Sequence, residues 1–123
     1  MVTTAERVAQ ANRVLMEGFE RQDPAMVASV YDENAQVLPA NSSPVVGKKA
    51  IQDFWGEVFE GLGVKRVNLK TVNIEEEGDL IVERGDYELF DAGGNRMQTG
   101  NYIVVSKHGR LIYDIFHSDQ AAS

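Results

Sequence analysis

At Val64 the spacing of apolar residues changes from a helical period to strict alternation, and that change limits the fold more than any other feature of the chain. Before it lie three stretches of helical spacing. Thr3 with Glu6 three residues on has capping-box spacing, and Val8, Ala11, Leu15 and Phe19 then form one apolar stripe, with Asn12, Glu17 and Arg21 falling elsewhere. This helix is expected to stop near Gln22. Asp23 followed by Pro24 reads as an N-cap with proline at the first helical position. Met26, Val27, Val30 and Tyr31 give the second helix a short apolar face, broken by Asp32-Glu33-Asn34. Ala35 to Pro39 reads as a short strand at an edge or terminal position, and Ala40 to Pro44 as a loop. A third helix is predicted from about Lys48 to Glu60, burying Ile51, Phe54, Trp55, Val58 and Phe59 and ended by Gly61 and Gly63.

Beyond Val64 the pattern predicts four strands. Val64 to Ile74 is the first, with a shift of apolar parity between Leu69 and Val72 that implies a bulge. A turn over Glu75 to Asp79 leads to Leu80–Phe90, and Asp91-Ala92-Gly93-Gly94-Asn95 is a hairpin signal. Met97 to Ser106 and Leu111 to His117 complete the set, joined around His108-Gly109. The order is α-α-β-α-β-β-β-β. Helices gathered before a run of hairpins imply an α+β domain with an antiparallel sheet and its helices on one face.

With 123 residues the chain fits a single domain, residues 1–123, which should bury roughly two-thirds of its unfolded surface. It contains no cysteine, which excludes disulfides and thiolate chemistry. Nineteen acidic residues against 12 basic ones give a net charge of −7, which repels phosphate backbones. The only basic candidates, Lys48-Lys49 and Lys65-Arg66, are dipeptides, so no nucleic-acid partner is expected. No apolar run reaches signal-peptide or membrane-spanning length, so a soluble cytoplasmic protein without a membrane partner is expected.

Several residue groups, in this order and spacing, resemble the nuclear transport factor 2-like (cystatin-like) superfamily and, within it, the SnoaL-like, ketosteroid isomerase-like domains. They are Gln22-Asp23-Pro24, Tyr31-Asp32-Glu33-Asn34-Ala35, Gly47-Lys48-Lys49-Ala50-Ile51, Glu83-x-Gly85-x-Tyr87, Gly100-x-Tyr102 and Gly109-Arg110-Leu111-Ile112-Tyr113-Asp114-Ile115-Phe116. The resemblance covers nearly the whole chain. It implies a cone-shaped domain in which a curved antiparallel sheet wraps a hydrophobic pocket closed by the N-terminal helices, and it implies homodimers formed through the outer sheet face. Functions in the superfamily range over ketosteroid isomerases, polyketide cyclases, limonene epoxide hydrolase, dehydratases and non-catalytic association domains, so activity must be argued from the site.

Alternation along the last strand groups Ile112, Asp114, Phe116 and Ser118 on one face, against Leu111, Tyr113, Ile115 and His117 on the other. The resemblance turns the Asp114 face toward the cavity. A carboxylate between Ile112 and Phe116 would be desolvated and raised toward neutrality, as an acid or base requires. The competing reading turns Asp114 outward or into a structural ion pair. Arg84-x-Asp86 with Asp114 matches the arginine and two aspartates of limonene epoxide hydrolase, where the carboxylates are an acid–base pair bridged by arginine. That enzyme's water-positioning tyrosine and asparagine correspond to Ala35 and Val37, and a polar outer stripe of Arg84, Asp86 and Glu88 is the bland alternative. The ketosteroid isomerase base falls at Leu38 and its oxyanion tyrosine at Leu15, while the polyketide cyclase acid falls near Phe116.

Trp55, the sole tryptophan, is expected in the core or the cavity wall. Two histidines, His108 and His117, with no cysteine make no metal constellation, and Gly93-Gly94 fits a hairpin rather than a phosphate cradle, so no metal or cofactor is expected. The expected function is a pocket for a small apolar molecule with acid–base chemistry of isomerase, cyclase, dehydratase or hydrolase type. Asp114, Asp86 and Arg84 would be the catalytic set, and Leu15, Leu38, Trp55 and Phe116 the substrate walls. The alternative is a non-catalytic ligand-binding or dimerisation module of the same fold.

Overall fold

A computed structural model describes residues 2–120. Helix α1 (Thr4–Glu20) begins at the expected capping box: the Thr3 hydroxyl accepts from the Glu6 amide at 3.1 Å and the Glu6 carboxylate accepts from the Thr3 amide at 3.3 Å. Helix α2 (Pro24–Ala28) starts at Asp23, whose carboxylate caps the Met26 amide at 3.1 Å. Between them Gly18 lets the two helices close, because a Cβ there would strike Val27. Strands β1 (Tyr31–Pro39) and β2 (Val45–Val46) precede helix α3 (Lys48–Leu62), and β3 (Arg66–Glu77), β4 (Leu80–Phe90), β5 (Arg96–Lys107) and β6 (Arg110–Ser118) follow. None of the described helices is long and apolar enough to cross a membrane.

The six strands form one open sheet in the order β2-β1-β6-β5-β4-β3, antiparallel except for the parallel pair β1–β6. The α+β architecture is the one expected, with local differences. Tyr31 opens β1 rather than closing the second helix, which ends three residues earlier. Glu75, Glu76 and Glu77 extend β3 by pairing with β4 instead of turning, and the β3 bulge falls between Thr71 and Asn73. On β6 the pairing with β5 skips Ile112, so Leu111 and Asp114 are both buried while Tyr113 is exposed. Ile112 therefore does not share a face with Asp114, because the bulge moves Leu111 into its place.

The core lies between the inner sheet face and the helices. Phe19 of α1 meets Trp55 and Phe59 of α3 edge-on, at centroid distances of 5.3 and 5.0 Å, and Trp55 stacks on Phe116 of β6 at 5.9 Å. On the same face, β4 and β5 exchange two glycine–tyrosine pairs: Gly85 opposes Tyr102, and Gly100 opposes Tyr87. Each ring lies across the glycine facing it, a position that a Cβ would occupy. Each hydroxyl then reaches a polar group two residues before that glycine, Tyr102 donating to Glu83 at 2.6 Å and Tyr87 to Gln98 at 2.9 Å. These pairs explain the Gly85-x-Tyr87 and Gly100-x-Tyr102 spacings.

Replacing Gly85 with alanine should displace the Tyr102 ring and strain the Tyr102–Glu83 bond. The expected cost is about 1–3 kcal/mol in urea unfolding. A variant as stable as the parent would show that the ring does not need the glycine.

Candidate functional site

Four strands in register set the two faces of the sheet. Val37 of β1, Asp114 of β6, Val104 of β5 and Glu83 of β4 are successive partners across the inner face. One residue along, Leu38, Ile115, Ile103 and Arg84 form the corresponding row outside. The inner face and helices α1 and α3 enclose a cavity of about 750 Å³, in the range of small-molecule sites. Leu15, Phe54, Trp55, Val58, Leu69 and Phe116 supply much of its apolar wall.

Asp114 lies on that wall and is 7% exposed. Its Oδ2 accepts a 2.6 Å hydrogen bond from the Tyr31 hydroxyl. Burial pushes its carboxyl up to about 6; the Tyr31 bond works against this by stabilising the charged form, and the negative charge of Glu83 adds to the rise. Tyr31 is fully buried, and burial together with the charge of Asp114 raises its phenol well above the ordinary value. The phenol therefore keeps its proton and serves as a fixed donor. Trp55 completes this corner: its Nε1 is buried without a hydrogen-bond partner among the described residues, close enough to Tyr31 to oppose part of the rise in the phenol.

Glu83, 3% exposed, is the other acidic group of the cavity wall. Its Oε2 accepts from Asn12 Nδ2 at 3.0 Å, the Thr71 hydroxyl at 2.8 Å and the Tyr102 hydroxyl at 2.6 Å. Burial and then the Glu83 bond raise the Tyr102 phenol, so it too remains a donor.

The expected catalytic set does not assemble. Arg84 and Asp86 sit on the outer face with side chains 43% and 47% exposed, paired with each other at 3.1 Å. Asn101 Nδ2 also donates to Asp86 at 2.7 Å. Strand alternation sends residues 84 and 86 away from Glu83, Gly85 and Tyr87, so the arginine-bridged triad has no geometry here. Leu38 is likewise corrected from the wall to the outer row, beside Ile115. Leu15, Trp55 and Phe116 do line the cavity, along with Asp114. Sequence reasoning missed Tyr31, Glu83, Asn12 and Tyr102. The Glu83-x-Gly85-x-Tyr87, Gly100-x-Tyr102 and Tyr31-Asp32-Glu33-Asn34-Ala35 groups were the available signals for Glu83, Tyr102 and Tyr31, whereas Asn12 carried none.

A small α+β domain with one large apolar cavity and buried carboxylates on its sheet wall is thus the class defined by fold and site. The chain belongs to the SnoaL-like domain family, whose profile matches residues 12–113. No curated protein sequence matches it. Among solved structures it is similar to a domain of unknown function with a cystatin-like fold from Nostoc punctiforme, at 15% identity and a TM-score of 0.78, covering 98% of this chain and 81% of that one. It is also similar to a ketosteroid isomerase-like protein from Erwinia carotovora atroseptica (14% identity, 93% and 95% covered, TM-score 0.75). An NTF-2-like protein of unknown function from Shewanella oneidensis matches at 12% identity, with 93% and 98% covered and a TM-score of 0.77. At these identities the likeness is one of fold.

The raised carboxyl has a consequence for stability. Asp114 holds its proton to about pH 6 in the folded state, against the ordinary 3.8. Protonation therefore favours the fold: the contribution is complete below about pH 4, is lost as pH rises through about 6, and amounts to about 3 kcal/mol. Asp114→Asn removes it, so the difference in unfolding free energy between the two proteins should change across that interval and level off above about pH 7. A difference constant from acid to neutral pH would contradict the burial described for Asp114.

Proposed function

We propose that the cavity binds a small, predominantly apolar substrate on which Asp114 performs proton transfer, with Tyr31 as its positioning residue. The observation that carries this reading is a carboxyl group buried in the wall of a large apolar cavity, where burial pushes it up to about 6. Near neutrality both of its protonation states are populated, which suits a group that takes a proton at one atom and returns it at another. Tyr31 holds Oδ2, leaving Oδ1 without a hydrogen-bond partner among the described residues. Leu15, Trp55 and Phe116 would hold the carbon skeleton against it and exclude water. With Arg84 and Asp86 outside, hydrolysis of an epoxide by a bridged carboxylate pair loses support. Isomerisation, cyclisation and dehydration, which a single carboxyl group can serve, are favoured.

The test is a turnover screen over apolar enones, ketones and hydroxy compounds. An active substrate should give a pH–rate profile with an inflection near 6, and Asp114→Asn should lose about 10²–10⁴ in kcat. Tyr31→Phe should move the inflection upward, because the bond that lowers the Asp114 carboxyl is gone. Unchanged turnover in Asp114→Asn would remove it from the mechanism and leave a binding module of the same fold.

The outer sheet face supports a homodimer. Ile103 and Ile115, each 44% exposed, are partners on adjacent strands, with Leu38 beside Ile115 and the exposed Tyr113 two residues away. An exposed apolar strip of this kind is stabilised by a second copy of the same face. Sedimentation at micromolar concentration should give a dimer, and Ile103→Glu combined with Ile115→Glu a monomer. A monomeric parent would end this reading.

A further inference from the structure

Proton transfer at Asp114 leaves one buried charge in the cavity without a role. Glu83 lies across the sheet from Asp114 with Val104 between them, so two strand spacings, about 10 Å, separate their backbones. All three of its hydrogen bonds fall on Oε2. Oε1 has no partner among the described residues, yet it is not among the polar atoms sealed from solvent, so it opens into the cavity that Glu83 lines.

The donors that hold Glu83 are an amide and two hydroxyls, all neutral. Among the described residues no lysine, arginine or histidine forms an ion pair with it. Arg7 and His117, the basic side chains on the cavity wall, are exposed to solvent. A carboxylate buried without a cation is costly to the fold. A chain of net charge −7 also draws cations toward its surface.

We infer that Glu83 anchors a protonated amine carried by an otherwise apolar ligand. The inference rests on the reading of the cavity as a small-molecule pocket and assigns the chemistry of the ligand's polar end. Asn12, Thr71 and Tyr102 fix the orientation of the carboxylate, so Oε1 meets an ammonium N–H without rearrangement. The resulting bond is charge-assisted, and the burial of the carboxylate is already part of the folded state. An alcohol of the same shape donates a weaker bond, and a carboxylate ligand is repelled by Glu83 and Asp114 together.

Trp55, the sole tryptophan, stands in the wall and reports occupancy through its fluorescence. Decylamine, decanol and decanoate are titrated at about pH 8, where the amine is charged and Asp114 is ionised. Decylamine should half-saturate the signal at a concentration about tenfold below decanol, with decanoate weaker than both. Glu83→Gln keeps an acceptor for the three donors but removes the charge, and should bring decylamine to within about twofold of decanol. In the unmodified protein the Glu83 carboxyl carbon resonance should respond to decylamine and not to decanol, which tests the contact even if the variant unfolds. Equal half-saturation by amine and alcohol, or an amine preference that survives Glu83→Gln, overturns the inference while decanol binding preserves the pocket. Failure of all three compounds to perturb Trp55 overturns the pocket reading, and this inference with it.

Discussion

The site depends on the register of four strands. Because side chains alternate, a one-residue slip of β6 along the row Val37–Asp114–Val104–Glu83 would put Ile115 in the place of Asp114, and a slip of β4 would put Arg84 in the place of Glu83. Several features hold the row in place. The Ile112 bulge lets Leu111 and Asp114 face the same way, and the reciprocal Gly85–Tyr102 and Gly100–Tyr87 pairs fit only when β4 and β5 are aligned as they are. The parallel pairing of β1 with β6 sets Val37 beside Asp114, and Tyr31 reaches the same carboxylate from the start of β1.

The register also allows two carboxylates to be buried in an apolar wall. Each is met by a tyrosine hydroxyl at 2.6 Å, Tyr31 for Asp114 and Tyr102 for Glu83. Both phenols are raised by burial first, so they donate rather than compete for charge. The acids nevertheless differ in support. Asp114 has a single hydrogen bond and rises to about 6, whereas Glu83 has three donors on one oxygen. Two acids in unlike surroundings can take unlike tasks, one exchanging protons and the other holding a ligand. The aromatic contacts Phe19–Trp55 and Trp55–Phe116 connect helices and sheet across the cavity and keep the wall closed around both.

Much of this was legible in residue patterns. The capping box at Thr3, the Asp23-Pro24 helix start, the Leu80–Phe90 strand and the β3 bulge stand where their spacing placed them, because each is decided by neighbours a few residues away. The errors share a different cause. Arg84, Asp86 and Leu38 have the right chemistry for a site but the wrong parity, and alternation identifies two faces without saying which is inner. Tyr31 ends a helix-like apolar pattern, yet pairing with β6 extends the strand back over it. Asn12 looked like part of a solvated helix face until β3 and β4 closed over it.

The amino-acid sequence by itself determined the order of the three helices and the five longer strands, the caps at Thr3 and Asp23, the α+β class and the candidacy of Asp114, Trp55 and Phe116, but not the short strand β2 or the extension of β3 through Glu77. Tertiary structure decided which face of the sheet became the interior and which groups met there. Tyr31 and Asp114 are 83 residues apart, and Asn12 and Glu83 are 71 apart. Such contacts depend on strand pairing between distant segments, whose free energy is set by burial of the whole inner face rather than by any local preference.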